Sequence, residues 1–253
     1  MDLGLEGKKA IVTGGTRGIG RTIAELLADE GCDLGICARG EAAIGPAVAA
    51  LKAKGVNATG AVVDVSDADA VMSWVEQAAT ALDGLDIVIA NASGFGITPD
   101  AAGWRQGFEV DIMGTFHTVQ AAMPHLERSD AGAILAISSV AALEFFGGAR
   151  PYNSVKAALI NYISNLSIEL APKGIRANTV SPGTIYFDGG VWQQRERDEP
   201  EVFKMALARN PMGRMGGPDE VAKAAVFLAS PAAGFISGTN LIVDGALTQG
   251  VQY

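Results

Sequence analysis

Short, nearly continuous apolar runs alternate along this chain with longer stretches whose apolar residues recur at helical spacing. Runs of the first kind, at 9–13, 33–38, up to 63–65, 86–90, 133–138, 176–180 and 240–243, read as strands. Stretches of the second kind predict helices over 19–30, 41–54, 67–82, a long span ending near Leu126, 152–170 and 218–229. Repeated βα units with short connections build a parallel sheet covered on both faces. The expected fold class is α/β, a Rossmann-type doubly wound parallel sheet of about seven strands with helices on both faces. One domain spanning 1–253 is expected.

One segment breaks the rhythm. Residues 184–214 are polar and charged around Gln193-Gln194-Arg195-Glu196-Arg197-Asp198-Glu199, yet carry Tyr186, Phe187 and Trp192. A long insertion after a strand's carboxyl end is where such sheets place a lid over their ligand.

Composition and charge narrow the function classes. Hydrophobic residues make up 49% of the chain, aromatics 6%, and there are 32 glycines, a mixture that suits helices packed closely on a parallel sheet. A formal charge of −9 and the lack of a basic run argue against nucleic acid or an anionic membrane as partner. No uninterrupted apolar run reaches the ~18 residues of a membrane span. The first residues lack the apolar stretch of a signal peptide, so a cytoplasmic location is expected. Cys32 and Cys37 fall in one predicted strand at an odd separation, so their side chains point to opposite faces and cannot pair. His117 and His125 are the only histidines, no Cys/His spacing suits a metal, and none is expected.

Two local patterns carry chemistry. Thr13-Gly14-Gly15-Thr16-Arg17-Gly18-Ile19-Gly20 joins the first predicted strand to the first helix. Its glycines permit a tight turn and close backbone approach to a pyrophosphate, which the positive helix terminus then faces. Tyr152 and Lys156 stand one helical turn apart on one face. A phenol ionises only near pH 10 when unperturbed, and a neighbouring ammonium favours the phenolate, which makes such a Tyr a usable acid and base. Ser139, at the end of a strand, is placed to hydrogen-bond a substrate oxygen.

These motifs appear in order with Asp64-Val65, Asn91-Ala92-Ser93-Gly94, Pro182-Gly183 and a closing Ser237-Gly238…Val243-Asp244-Gly245. Together they resemble the short-chain dehydrogenase/reductase family in its compact branch, including members like 3-oxoacyl reductases, from Lys8 to about Gly245. The resemblance implies catalytic roles for Ser139, which positions the substrate oxygen, and for Tyr152, the general acid in reduction. Lys156 supports Tyr152 and holds the nicotinamide ribose. It implies a dinucleotide held by Gly14, Thr16, Arg17, Gly18, Ile19 and Gly20, with Asp64 and Val65 at the adenine. Asn91 and Ala92 lie at the ribose and central strand, and Pro182, Gly183 and Ile185 at the nicotinamide end. The second predicted strand ends in Arg39 where an acid would select NAD, so with Arg17 the expected cofactor is NADP(H).

Two positions depart from the family pattern. Asp111-Ile112-Met113-Gly114 has Asp where the family has Asn, whose water links the catalytic Lys to bulk solvent, so Asp111 joins the candidate catalytic set. A carboxylate accepts but cannot donate at that water, and it adds a negative charge near Lys156; alternatively, it turns aside to bond helix backbone. Phe187 stands where the family often has a Thr that contacts the carboxamide, which suggests an altered lid or a more apolar pocket.

The function expected is an NADP(H)-dependent oxidoreductase interconverting a ketone and a secondary alcohol. An NAD-dependent alcohol dehydrogenase and a catalytically weak dinucleotide-binding protein are the alternatives. Phe95, Phe145, Phe146, Tyr186, Phe187 and Trp192 border the family's substrate cleft and favour a hydrophobic or aryl carbonyl substrate, with some of these rings serving the core instead. An acidic acyl carrier is disfavoured by the chain's own acidity. The predicted long helices are apolar on more than one face, and resembling proteins are often tetramers, so a homotetramer is expected.

Overall fold

The structure is a computed structural model and describes residues 1–145 and 148–250. Seven strands form one parallel sheet: β1 (Lys9–Thr13), β2 (Asp33–Ala38), β3 (Ala58–Val62), β4 (Ile87–Ala90), β5 (Ala133–Ile137), β6 (Arg176–Pro182) and β7 (Asn240–Val243). Their order is β3-β2-β1-β4-β5-β6-β7, the doubly wound arrangement expected. The chain reverses its winding between β1 and β4, and ligands of such sheets bind outside the carboxyl ends at that crevice.

Period-two alternation explains why both faces need helices. Ala10 and Val12 of β1, Ile87 and Ile89 of β4, and Leu135 of β5 face one core, which α1 (Gly18–Asp29), α2 (Glu41–Lys52) and α9 (Pro218–Ala229) cover. Ile11, Val88, Ile134 and Ala136 face the other, covered by α3 (Ala68–Leu82), α5 (Gly114–Leu126) and α6 (Pro151–Leu170). The two cysteines sit in opposite cores as their spacing requires, although Cys32 lies just before β2. Burial pushes both thiols up to about 12, so neither is a ready nucleophile.

Beyond shifts of a residue or two at element ends, three segments differ from the sequence pattern. β3 stops at Val62; Val63 still donates its N–H to Ala38 O at 3.0 Å, and it and Val65 are buried in the following loop. A Cβ at Gly114 would stand 2.7 Å from the Val65 side chain, so that glycine makes room for the loop. The long helix before Leu126 is three pieces: α4 (Ala101–Gly107), a π-helical turn (Phe108–Met113) and α5. Residues 184–214 carry two helices, α7 (Val191–Asp198) and α8 (Pro200–Ala208).

Arg176 at the start of β6 secures the far edge. Its guanidinium donates to the carbonyls of Leu228, Ala229 and Ser230 at 2.6–3.0 Å, satisfying the C-terminal end of α9. Among the described residues, no helix is long and apolar enough to cross a membrane.

Candidate active site

The residues singled out by motif meet at the carboxyl edge of the sheet. After β1 the chain turns through Gly14 (φ 67°) and enters α1 at Gly18 (φ 53°), both in left-handed conformations that favour glycine. A Cβ at Gly20 would run into the Asn91 side-chain amide, so helix and loop approach as closely as backbone allows. Asn91 fastens this corner: its Nδ2 donates to Thr13 O at 2.9 Å, and the N–H groups of Asn91 and Ala92 donate to Thr13 Oγ1 at 2.9 and 3.0 Å. The Thr13 hydroxyl is thus a clamp that motif reading did not separate from the glycines.

Two exposed cations follow the first two strands. Arg17 is the N-cap residue of α1, and Arg39 follows β2. Although burial opposes it, the Ser66 hydroxyl and N–H, with the Arg39 charge, hold the Asp64 carboxyl below its ordinary range.

Lys156, 2% exposed, is buried, as is the carboxylate it faces, Asp111. The Lys156 ammonium donates to Ile137 O at 2.8 Å and pairs with Asp111 Oδ1 at 2.9 Å. The other Asp111 oxygen accepts the Gly94 N–H at 2.8 Å, so the carboxylate touches both the ammonium and the β4 loop. Of the two alternatives left by the sequence, the carboxylate takes the one beside Lys156, and the backbone N–H it also accepts belongs to a loop and not to a helix. Burial alone would lower the Lys156 ammonium, but the facing Asp111 carboxylate, joined by Tyr152, outweighs it and holds the group above its ordinary value. Asp111 lies in the π-helical turn, an arrangement often found at functional sites.

Tyr152 lies at the first turn of α6, with Lys156 Nζ 5.8 Å from its ring centre. Ser139 follows the end of β5 and accepts the Ala141 N–H at 3.1 Å, while its neighbour Ser138 donates to Lys156 O at 2.9 Å. Ser138 is thereby spent on structure and buried, and Ser139 is the half-buried hydroxyl.

A family model described as Enoyl-(Acyl carrier protein) reductase matches residues 14–248. Isoepoxydon dehydrogenase patN of Penicillium expansum is 37% identical over 257 residues, covering 100% of this chain and 99% of that one. Dehydrogenase/reductase SDR family member 4 of Oryctolagus cuniculus is 34% identical, over 95% of this chain and 94% of its own. This chain belongs to the short-chain dehydrogenase/reductase family. Among solved members, L-sorbose reductase from Gluconobacter frateurii, complexed with NADPH and L-sorbose, superposes with a TM-score of 0.91 at 29% identity, over 99% of this chain and 100% of that one. Membership brings the general chemistry of the family, NAD(P)-dependent oxidation and reduction at carbonyl or alcohol carbons.

Within this short-chain dehydrogenase/reductase, Pro182 and Gly183 close β6, and a Cβ at Gly183 would stand 2.7 Å from the Asp244 side chain. Ile185 bridges to Gly216 and is buried. Phe187 lies directly on the glycine loop: a Cβ at Gly18 would be 2.6 Å from its Cζ. The aromatic residues divide. Trp192 is 8% exposed and packs with Ala206 of the 184–214 segment and with Met215 just beyond it. Tyr186 donates to Glu196 at 2.5 Å and meets the Phe203 ring edge-on. These two build the segment itself, whereas Phe95 and Phe145 are exposed and Phe146 lies outside the described residues.

Proposed function

We propose that this protein is an NADP(H)-dependent oxidoreductase that interconverts a ketone and a secondary alcohol, with Tyr152 as the general acid–base. The observation that carries the reading is the phenol, ammonium and carboxylate series of Tyr152, Lys156 and Asp111, set at the sheet's carboxyl edge with Ser139 after the adjoining strand. When bound, the nicotinamide supplies or accepts the hydride.

The protein's own residues do the rest. Ser139 holds the substrate oxygen, and Tyr152 gives that oxygen a proton in reduction or takes it in oxidation. The Lys156 ammonium stabilises the phenolate left behind. Of its three N–H donors, Ile137 O and Asp111 engage two, which leaves one for a ribose hydroxyl. Asp111 acts as a positioning residue through Lys156.

The loop Gly14, Thr16, Arg17, Gly18, Ile19 and Gly20 fits a dinucleotide, since Gly14 and Gly18 turn the backbone through positive φ and the N-terminus of α1 begins at that turn. Asp64 and Val65 border the adenine, Asn91 and Ala92 the ribose, and Pro182, Gly183 and Ile185 the nicotinamide. Phe187 covers Gly18, so loading requires that ring to swing away from the loop, with 184–214 serving as the lid.

Arg17 and Arg39 favour a 2′-phosphate, because no carboxylate ends β2 to repel one. NADPH should therefore give a higher kcat/KM than NADH, and Arg39→Ala should reduce that preference. Equal values, or a preference for NADH, would overturn the cofactor assignment. The substrate is a small or medium ketone of apolar or aryl character, as the exposed Phe95 and Phe145 suggest.

Apolar residues also remain exposed on the long helices and near the C-terminal edge, among them Phe116, Ile168 at 74% and Phe235. Such faces call for partner copies, and a homotetramer is the assembly proposed. Light scattering at micromolar concentration should show a species several times 26.0 kDa, and a lone monomer would refute it.

A further inference from the structure

Phe95 holds a backbone conformation that a bulky residue rarely adopts. Its φ is 49°, in the left-handed region. Two other non-glycine residues share positive φ among those described, and both have local reasons: Asp83 caps α3, and Ala246 sits in a turn held by Asp244. Phe95 shares one such anchor, its N–H donating to the Ser93 hydroxyl at 3.2 Å, but it alone carries a bulky ring into that conformation.

The loop around it is held from both sides. Gly94 donates to Asp111 and accepts from Gln106 Nε2 at 2.6 Å, while Gly96 accepts the Tyr152 N–H at 3.0 Å. A Cβ at Gly94 would lie 2.6 Å from Gln106 O, and one at Gly96 would strike Gly103 O, so neither glycine can yield to relieve its neighbour. The strain is imposed on Phe95 by contacts that include the positioning carboxylate and the backbone of the proposed acid–base.

What the strain achieves is visible in the ring. It stacks on Tyr152 with centroids 5.6 Å apart and planes 12° from parallel, yet Phe95 remains 48% exposed. A ring kept for the core would be buried, and one without a role would sit in a relaxed conformation.

We infer that Phe95 is a specificity-determining residue, forced into the left-handed region so that its ring forms a flat apolar wall beside Tyr152 for a planar, aryl or cyclic unsaturated carbonyl substrate. This rests on the carbonyl-reductase reading above. A carbonyl carbon brought to the Tyr152 hydroxyl carries its substituents alongside this wall. Flat π-surfaces gain from stacking there, and open-chain or polyhydroxylated substituents do not.

The test compares an aryl ketone with an open-chain aliphatic ketone, using NADPH and the full chain. Phe95→Gly removes the ring and its strain, and Phe95→Leu keeps apolar bulk without a flat face. For Phe95→Gly, KM for the aryl ketone should rise about ten-fold more than KM for the aliphatic one, the size a lost aromatic stack gives. Its kcat on the aryl ketone should change less than its KM, and its Tm should not fall below that of the wild type. Phe95→Leu should fall between the two in aryl preference. Equal KM changes for both ketones, or a lowered Tm in Phe95→Gly, would make Phe95 a packing residue and overturn the inference. If the unmodified protein reduced neither ketone, the carbonyl-reductase reading would fail first, so the two failures are told apart.

Discussion

Tyr152→Phe is expected to lower kcat for ketone reduction by about 10²–10⁴-fold, the usual contribution of a positioned acid–base group. The substitution deletes one oxygen and keeps the ring that stacks on Phe95, so the wall and the helix turn stay in place. NADPH affinity should change little, because the glycine loop and Lys156 are untouched. The residual rate of the variant should also be insensitive to pH, since the proposed acid–base hydroxyl is gone. Cofactor fluorescence titration beside a pH–rate profile reads both quantities. A variant within ten-fold of the parent would mean that Tyr152 only packs in the cleft, and would favour another proton donor. An unmodified protein that binds NADPH but turns over no carbonyl or alcohol would instead favour the weak dinucleotide-binding alternative.

The five central strands were legible because buried parallel strands must be apolar on both faces. The edge strands β3 and β7 are partly exposed, and β3 lies before the 63–65 run that stood for its end. The break at the π-helical turn was not legible. Phe108–Met113 continues the helical spacing on either side, and the extra backbone residue per turn leaves no mark in composition. Val63 and Val65 read as strand for the opposite reason: both are apolar and buried, but they pack from a loop. Within the site, Tyr152, Lys156 and Ser139 were legible as residue types at a spacing. Asp111 was visible only as a departure, and its second partner, the Gly94 N–H, lies 17 positions away and emerges only from the tertiary structure. Tyr186 and Trp192 look like cleft residues in sequence, yet they turn into the 184–214 segment. Nothing local reports which way a ring on an insertion will point. The strained φ of Phe95 and the cover of Phe187 over Gly18 likewise arise from contacts between distant segments.

Asp111→Asn is expected to lower stability by about 3 kcal/mol at neutral pH, the scale of breaking a buried ion pair on one side. For a chain of this size that is a fall in Tm of roughly 10 °C. The carboxylate offers two acceptor oxygens to two donors, the Lys156 ammonium and the Gly94 N–H. An amide offers one oxygen and an NH₂, so one donor must face another donor. The pH dependence carries a sign that ordinary loosening would not. In the parent, the Lys156 ammonium is held above its ordinary 10.5, so the stabilisation it gives is fully present below 10.5 and is lost as pH rises through the folded-state value. With Asp111 gone, burial dominates and pushes the ammonium down. The variant should therefore be penalised most at low and neutral pH and recover relative to the parent as pH rises toward 10.5. Activity should persist, because the phenol and ammonium remain. The profile for alcohol oxidation should shift toward acid, because a negative charge that offset Lys156 near the phenolate has been removed. Thermal denaturation of parent and variant from pH 6 to 11, beside the two oxidation profiles, tests both signs. Parallel Tm curves with superimposable profiles would show that Asp111 does not act through Lys156. Complete loss of activity in a folded Asn variant would show that it takes part in the chemistry directly.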